Sequence, residues 1–258
     1  MENKKVMKKH IYAMPLCMLV VSLFFSCKKN SSTPNCVLAT LTDSTTTVQS
    51  VTQFTYDNSN RLSVVVVSGK NACRRTFQYS GNTIIFSVTD TTPGILNEVD
   101  TIVLNSSGFI QTQNSYYPTT ATSSAETFVY DSTGKIPISS VETNNGVPGD
   151  TLVYSTVNGD LMYEKLIGQA IDKNTFTYYP SENILYGDPT DFRQLLYYGA
   201  YYYKNKHMLS VLYSPGSSYK AYTYIFSNSR IAQSTLRVWK SGSADTVTHT
   251  ISYSYLCK

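Results

Sequence analysis

A repeat constrains this chain more than any other feature. A large residue recurs at Tyr56, Tyr79, Leu104, Tyr130, Tyr154, Tyr178, Tyr203 and Phe226, at spacings of 23, 25, 26, 24, 24, 25 and 23 residues. Periods of this length mark arrays of one supersecondary unit. Two residues before each anchor stands another large residue: Phe54, Phe77, Ile102, Phe128, Leu152, Phe176, Tyr201 and Tyr224. Residues two apart share one face of a strand. Polar runs then lead to an apolar residue, as in Asp57-Asn58-Ser59-Asn60-Arg61-Leu62, Asp131-Ser132-Thr133-Gly134-Lys135-Ile136 and Ser227-Asn228-Ser229-Arg230-Ile231. Asp, Asn and Ser bond nearby backbone, and Gly or Asn accepts positive φ, which is the chemistry of a tight hairpin.

Each unit is therefore expected to be a strand, a tight turn and a return strand, joined to the next unit by a longer connection. Eight units and a last strand over Thr248 to Leu256 predict an all-β antiparallel meander of about 16–18 strands. So long a meander curls or closes into a barrel or roll, because an open sheet would leave unpaired edges and an apolar face in water. Only Asp191 to Leu196 suggests a helical turn, and 22 tyrosines argue against a helical bundle.

The first 26 residues follow another logic. Lys4, Lys5, Lys8 and Lys9 precede an apolar run from Ile11 to Phe25, interrupted by Pro15 and closing in Leu23-Phe24-Phe25-Ser26-Cys27 before Lys28-Lys29. The run falls short of the ~20 residues that span a bilayer, and the pattern is that of a secretory signal peptide. Its end resembles the lipobox of bacterial lipoproteins, with Ser26 before the cleavage point and Cys27 as the acylated new N-terminus. The expected organisation is a signal peptide over 1–26, a lipidated tether over 27–35 and one repeat-built β domain over 36–258. Acylation by more than one chain anchors stably. The chain is thus expected at the outer membrane, facing either the periplasm or the exterior. Removing residues 1–26 takes away four lysines and Glu2, leaving 17 basic against 16 acidic residues and lowering the net charge from +4 to +1. No clustered basic face remains to bind nucleic acid.

The motif Tyr130-Asp131, Gly134 and Ile136, with the related Tyr56-Asp57 and Arg61-Leu62, resembles the YD repeat of bacterial RHS-type shells. With the lipobox and the length, the whole mature chain is similar to Gram-negative lipoproteins with a porin-like domain, a curled meander built from such repeats. The chain departs from the pattern in places: only two units keep Tyr-Asp, Leu104 replaces the aromatic, and Tyr79 precedes Ser80-Gly81-Asn82. The resemblance implies a fold and an envelope setting and brings no catalytic residues.

If the tight turns share one end of the sheet, the longer connections share the other. These are Asp90 to Asp100, Gln113 to Glu126, Ser140 to Asp150, Tyr186 to Tyr198 and Lys240 to Asp245, and a functional face is expected there. They carry Tyr116, Tyr117, Asp188, Asp191, Tyr197 and Tyr198, a candidate binding set for a glycan or peptide in which tyrosines supply area and carboxylates orientation. Asp188 and Asp191 beside aromatics would also suit a carbohydrate hydrolase, one as acid and one as nucleophile. A proline turn with Asp191 as helix cap is the structural alternative. Trp239 is either a bulky inward residue or a stacking platform. The Asp-Thr pairs at Asp100, Asp150 and Asp245 suggest turns that open strands, and Asp57 to Asn60 suggests an Asx turn rather than a calcium loop.

His207 and His249 stand in no HExxH motif, and no GxSxG or CxxC occurs, so neither a catalytic site nor a metal or other cofactor is indicated. Of the cysteines beyond Cys27, Cys36 opens the first strand and Cys257 ends the last, both at the tight-turn end. A Cys36–Cys257 disulfide is therefore expected, leaving Cys73 free. Three classes of function follow: first a lipid-anchored structural or binding domain, second a carbohydrate hydrolase, third an outer-membrane pore. The anchor and the ending Tyr255-Leu256-Cys257-Lys258, which lacks a terminal aromatic, weigh against the pore.

Overall fold

The computed structural model describes residues 36–69, 72–90, 94–168, 172–183, 205–228, 230–240 and 246–257. Its first eight strands are β1 (Cys36–Ser44), β2 (Gln49–Tyr56), β3 (Leu62–Gly69), β4 (Cys73–Ser80), β5 (Thr83–Asp90), β6 (Leu96–Leu104), β7 (Ile110–Tyr117) and β8 (Thr122–Tyr130). The rest are β9 (Pro137–Asn144), β10 (Val147–Val157), β11 (Asp160–Leu166), β12 (Asp172–Asn183), β13 (His207–Ser214), β14 (Ser218–Ser227), β15 (Arg230–Lys240) and β16 (Thr246–Cys257). Each pairs with its sequence neighbours, and β1 meets β16 to close the barrel. The expected all-β meander is thus a closed barrel of 16 strands. Tyr201 and the anchor Tyr203 lie outside the described residues.

The tight turns are held as their sequences suggest. Asp57 Oδ1 accepts from the Ser59 and Arg61 amides, Asn105 Oδ1 from those of Ser107 and Phe109, and Asp131 Oδ1 from those of Lys135 and Ile136. These bonds hold the Asp57 and Asp131 carboxyls below the usual carboxylate range, led by the Arg61 amide at Asp57 and by the Thr133 hydroxyl at Asp131. Gly134 has φ 69°, and a Cβ there would sit 2.9 Å from Ser107 Oγ. Only glycine lets those two turns approach.

Most return strands open on a bulge. The register slips after Leu62, Ile110, Pro137, Leu161, Leu209 and Ile231. A bulge leaves a backbone group out of the ladder, and at five of these six a tyrosine from the next strand serves it, whereas beside Pro137 the Tyr154 hydroxyl meets Ser140 Oγ. The Tyr79, Tyr130, Tyr178, Tyr224 and Tyr255 hydroxyls donate to the Leu62, Ile110, Leu161, Leu209 and Ile231 carbonyls at 2.6–3.0 Å. The Tyr56 hydroxyl likewise donates to the Leu38 carbonyl on β1 at 2.9 Å, although the β1–β2 register does not slip. Leu104 breaks the pattern for a physical reason. Its partner β5 leaves the two-residue turn Gly81-Asn82 in unbroken register with β4, so no bulge needs a hydroxyl. In the penultimate even strand the inward pair is Tyr222 and Tyr224, one step earlier than the expected Tyr224 and Phe226, and Phe226 is exposed.

Around these latches lies the core. Leu38, Phe54, Leu62, Phe77, Ile84, Phe86, Ile102, Ile110, Phe128, Leu161, Phe176, Leu209 and Tyr222 are buried together in one cluster that fills the tight-turn half of the barrel. Burying each large side chain of this kind contributes roughly 1.5–3 kcal/mol.

Candidate functional site

The other half of the barrel differs from expectation. Where described, its connections are short: Pro118–Ala121, Asn145-Gly146 and Pro215–Ser217. Asn145 (φ 49°) and Gly146 (φ 76°) form a two-residue hairpin turn inside what the sequence suggested was a loop. The strands run on, with polar side chains along much of the inner face and a mixed outer face that exposes Leu96, Tyr116, Tyr213 and Tyr219. Side chains two residues beyond core positions keep facing inward, which places Asp43, Arg75, Asp100, Glu126, Asn174, Ser214 and Lys220 in line with Leu41, Phe77, Ile102, Phe128, Phe176, Leu212 and Tyr222. The barrel is therefore a cup with an apolar base.

Within this cup, β6 to β9 enclose a cavity of about 210 Å³ lined by Glu98, Asp100, Gln113, Ser115, Tyr117, Ser124, Ala125, Glu126 and Glu142. Asp100, expected to open a strand in a turn, instead sits inside the barrel, 1% exposed. Gln113 Nε2 donates to its Oδ2 at 2.8 Å, while Oδ1 is buried without a hydrogen-bond partner. Burial pushes its carboxyl up to about 7, helped by Glu98 and opposed by Ser115 and Gln113. Glu126 and Glu142 face each other directly across β8 and β9, an arrangement that costs stability when both are charged. Tyr117 pairs with this cluster from β7, its phenol pushed up by burial and by Glu98.

Further polar groups complete the rim. Asn174 Nδ2 donates to Glu164 at 2.7 Å and Ser214 Oγ to Asn174 Oδ1 at 2.5 Å. His249 Nδ1 lies 3.0 Å from Asp43 Oδ1, across the seam between β16 and β1. At the opposite, tight-turn end, His207 Nδ1 lies 2.6 Å from Asp160 Oδ2, and Asp160 Oδ1 accepts from the Lys206 and His207 amides. That carboxylate ties the start of β13 to β11 and is fully engaged. Both histidines thus serve in structural pairs.

Of the expected binding set only Tyr116 and Tyr117 are among the described residues. Tyr116 and Tyr117, adjacent in a strand, point to opposite faces. Tyr117 lines the inner cavity, and Tyr116, 48% exposed, lines an outer groove beside Leu96 and Val99. Asp188, Asp191, Tyr197 and Tyr198 lie outside the described residues. The segment carrying them joins the end of β12 to the start of β13, which is the tight-turn end of the barrel and not the end of Tyr117. Trp239 faces outward, its ring edge-on to exposed Tyr219 at 5.2 Å, because Leu236 and Val238 take the inward positions of β15. Cys27 also lies outside the described residues. Cys73 is a buried free thiol, whereas Cys36 and Cys257 are disulfide-bonded.

No family model and no curated protein sequence matches this chain. Its fold has a counterpart among solved structures. A porin-like protein from Bacteroides uniformis superimposes with a TM-score of 0.60 at 15% identity, over 85% of this chain and 96% of that one. A porin-like protein from Bacteroides vulgatus aligns over 86% of this chain and 99% of that one, at 11% identity and a TM-score of 0.38. At such identity the first likeness speaks for the fold alone, and the second adds nothing to it.

The residues that sequence reasoning missed carried a signal. Glu98-x-Asp100-x-Ile102, Glu126-x-Phe128 and Asn174-x-Phe176 each place a polar residue in phase with a core residue. In-phase polar residues are inward residues wherever the strand outlasts the apolar layer.

Proposed function

We propose that this chain is a lipid-anchored barrel of the cell envelope that binds a glycan or peptide in the polar half of its interior and does not conduct through it. The observation that carries this reading is the apolar base, where residues such as Leu38, Val65, Ile102 and Ile110 are wholly buried. A pore needs a polar, water-filled lumen and an outer apolar band about 25 Å tall. Here the base of the interior is apolar, and the outer face is mixed: Gln53, Thr55, Arg74, Gln78, Thr101, Asn114, Thr127, Thr177, Thr223 and Arg237 are exposed on it beside Ile85, Val129, Val141, Tyr213, Tyr219 and Ile225. The fold shared with a porin-like protein supports the envelope setting, and the Cys27 motif supports the anchor. A Cys27→Ser protein is expected to lose incorporation of radioactive palmitate, to stay soluble without detergent and to give no conductance in planar bilayers. Stepwise conductance, or aggregation relieved only by detergent, would establish the pore, the reading that the closed 16-strand topology itself favours. The hydrolase reading predicts glycan cleavage abolished by Asp188→Asn or Asp191→Asn.

A further inference from the structure

The outer wall of the barrel carries a groove whose chemistry differs from that of the interior. Its floor is formed by two cross-strand rows on the outward face of β6 to β9. In the first, Tyr116 stands between Val99 and Ser123. In the second, two residues nearer the tight-turn half, Thr101, Asn114, Ala125 and Thr143 follow one another across the four strands. At ~4.8 Å between strands that row is about 15 Å long. The relief comes from unequal side chains. The Tyr116 ring, 48% exposed, rises beside a row in which nothing is larger than asparagine, and Leu96, Val99 and Pro118 add apolar walls. One end is fixed by hydrogen bonds: Asn145 Oδ1 accepts from the Ser123 amide and the Asn145 amide donates to the Ser123 carbonyl, both at 2.8 Å, which holds the turn bearing Gly146 beside the groove. The volume is about 500 Å³, within the ~300–1,000 Å³ of small-molecule sites.

The lining selects a class of ligand. Among the described residues no Asp, Glu, Lys, Arg or His lines the groove. A charged ligand would give up water there without gaining a partner, so the fitting occupant is neutral. Thr101 and Asn114 are exposed and offer a hydroxyl and an amide. An acyl chain would cover those groups without bonding them, at a cost. A sugar matches them, since a pyranose stacks its C–H face on an aromatic ring while its hydroxyls reach polar groups beside that ring. The apolar walls suit a methyl group on the same ligand.

We propose that this groove binds a neutral glycan through an N-acetylated sugar unit, with the pyranose on the Tyr116 ring, the acetamido group on the Asn114 amide and its methyl against Leu96 and Val99. The site lies outside the barrel, so it goes beyond the reading of the polar interior and does not depend on it.

The test is titration of the Cys27→Ser full-length protein with triacetylchitotriose, read by saturation-transfer NMR and by calorimetry, with cellotriose and acetyl-trialanine amide as comparisons. One saturable site is expected, with the strongest transfer to the acetamido methyl protons. Cellotriose should bind at least about tenfold more weakly, having lost one hydrogen bond and one buried methyl group. Tyr116→Ala is expected to weaken binding at least about tenfold, as removal of an aromatic anchor does, and Asn114→Ala by roughly threefold to tenfold. Both side chains are exposed, so the variants should melt with wild type. Tyr219→Ala, which removes an exposed outward ring elsewhere on the barrel, should leave binding unchanged. No transfer to triacetylchitotriose at millimolar concentration, undiminished binding by Tyr116→Ala, or equal binding of cellotriose would each overturn the assignment. Tighter binding of acetyl-trialanine amide would overturn it too, in favour of a peptide groove. Binding that Tyr116→Ala spares and Glu142→Gln weakens would put the sugar inside the barrel, so that this inference would fail while the binding-barrel reading stood.

Discussion

At the level of Ile102 and Phe128 the inner face of β6 and β8 is sealed from water, and two residues further along the same strands it presents Asp100 and Glu126. The two halves of the barrel share their strands, their pairing and their period of two, yet they obey opposite rules of substitution. In the tight-turn half a large side chain is worth its buried area, and removing it leaves a void in a packed layer. In the far half an ionised side chain is a liability that the fold carries, and neutralising it relieves repulsion and desolvation. A barrel of this size thereby separates stability from function along its axis. One end holds the molecule together and the other is free to be chemically costly.

The largest expected effect lies at the seam. Thr40 Oγ1 meets Ser254 Oγ, and Asp43 meets His249, so β1 and β16 run antiparallel with the start of one beside the end of the other. We propose that Cys36 and Cys257 are partners of each other, which clips the tight-turn end. Closing a loop of more than 200 residues stabilises by about 5 kcal/mol in the chain-entropy model. Reduction or Cys36→Ser should therefore lower the melting temperature by roughly 10–20 °C, at about 2–4 °C per kcal/mol for a barrel of this size. Peptide mapping without reductant that recovered Cys36 bound to any other cysteine would break the pairing.

Next comes the contrast within single strands. Phe128→Ala and Phe176→Ala are each expected to cost about 3–5 kcal/mol, and the outward neighbours Thr127→Ala and Thr177→Ala less than about 0.5. Comparable losses on both faces, measured by thermal melts, would erase the distinction between core and surface on which the comparison stands.

In the far half the sign should reverse. The Asp100 carboxyl is raised by burial from 3.8 to about 7, so the folded state binds a proton that the unfolded chain has released. The stability this contributes is complete below about pH 4 and is lost as pH rises through about 7, an effect on the order of 4 kcal/mol. Asp100→Asn should leave stability almost flat over that window and make the protein more stable than wild type above it. A variant that melted below wild type at pH 8 would show that the ionised carboxylate is stabilised by a partner, and the far half would then follow the same rule as the near one.

These halves also differ in how far the sequence discloses them. The apolar alternation of Phe54 and Tyr56, Phe77 and Tyr79, Phe128 and Tyr130 spells out strand, face and turn, because only one face there is polar. Beyond Glu126 both faces of β8 are polar over Thr122 to Ser124, the alternation vanishes, and stretches such as Glu142 to Asn144 look like loop. The cavity was hidden for the same reason: its residues are distinguished from a solvated face only by phase with a core residue several positions away. Asp188 to Tyr198 lie outside the described residues, and the strand order bears only on where the segment that carries them begins and ends. Its length suggests the end of the other long segments, while β12 ends at Asn183 and β13 starts at His207, at the end where the tight turns lie.

The smallest effect tests a detail inside the near half that the sequence held in plain view. Four units place phenylalanine two residues before a tyrosine: Phe54 and Tyr56, Phe77 and Tyr79, Phe128 and Tyr130, Phe176 and Tyr178. If the anchor were chosen for bulk alone, phenylalanine would serve in both places. The hydroxyl is needed where the neighbouring return strand opens on a bulge, and Tyr130 reaches the Ile110 carbonyl at 2.6 Å beside a residue with no exposure at all. Burial also pushes the Tyr130 phenol up, keeping it a neutral donor. Tyr130→Phe should cost about 1 kcal/mol, the worth of a hydrogen bond whose acceptor is left buried without its donor. Leu104→Tyr should bring no gain, since β5 carries no bulge for its hydroxyl to serve. Thermal melts of both variants decide the matter: a harmless Tyr130→Phe together with a stabilising Leu104→Tyr would mean that the ring, and not the hydroxyl, explains the repeat.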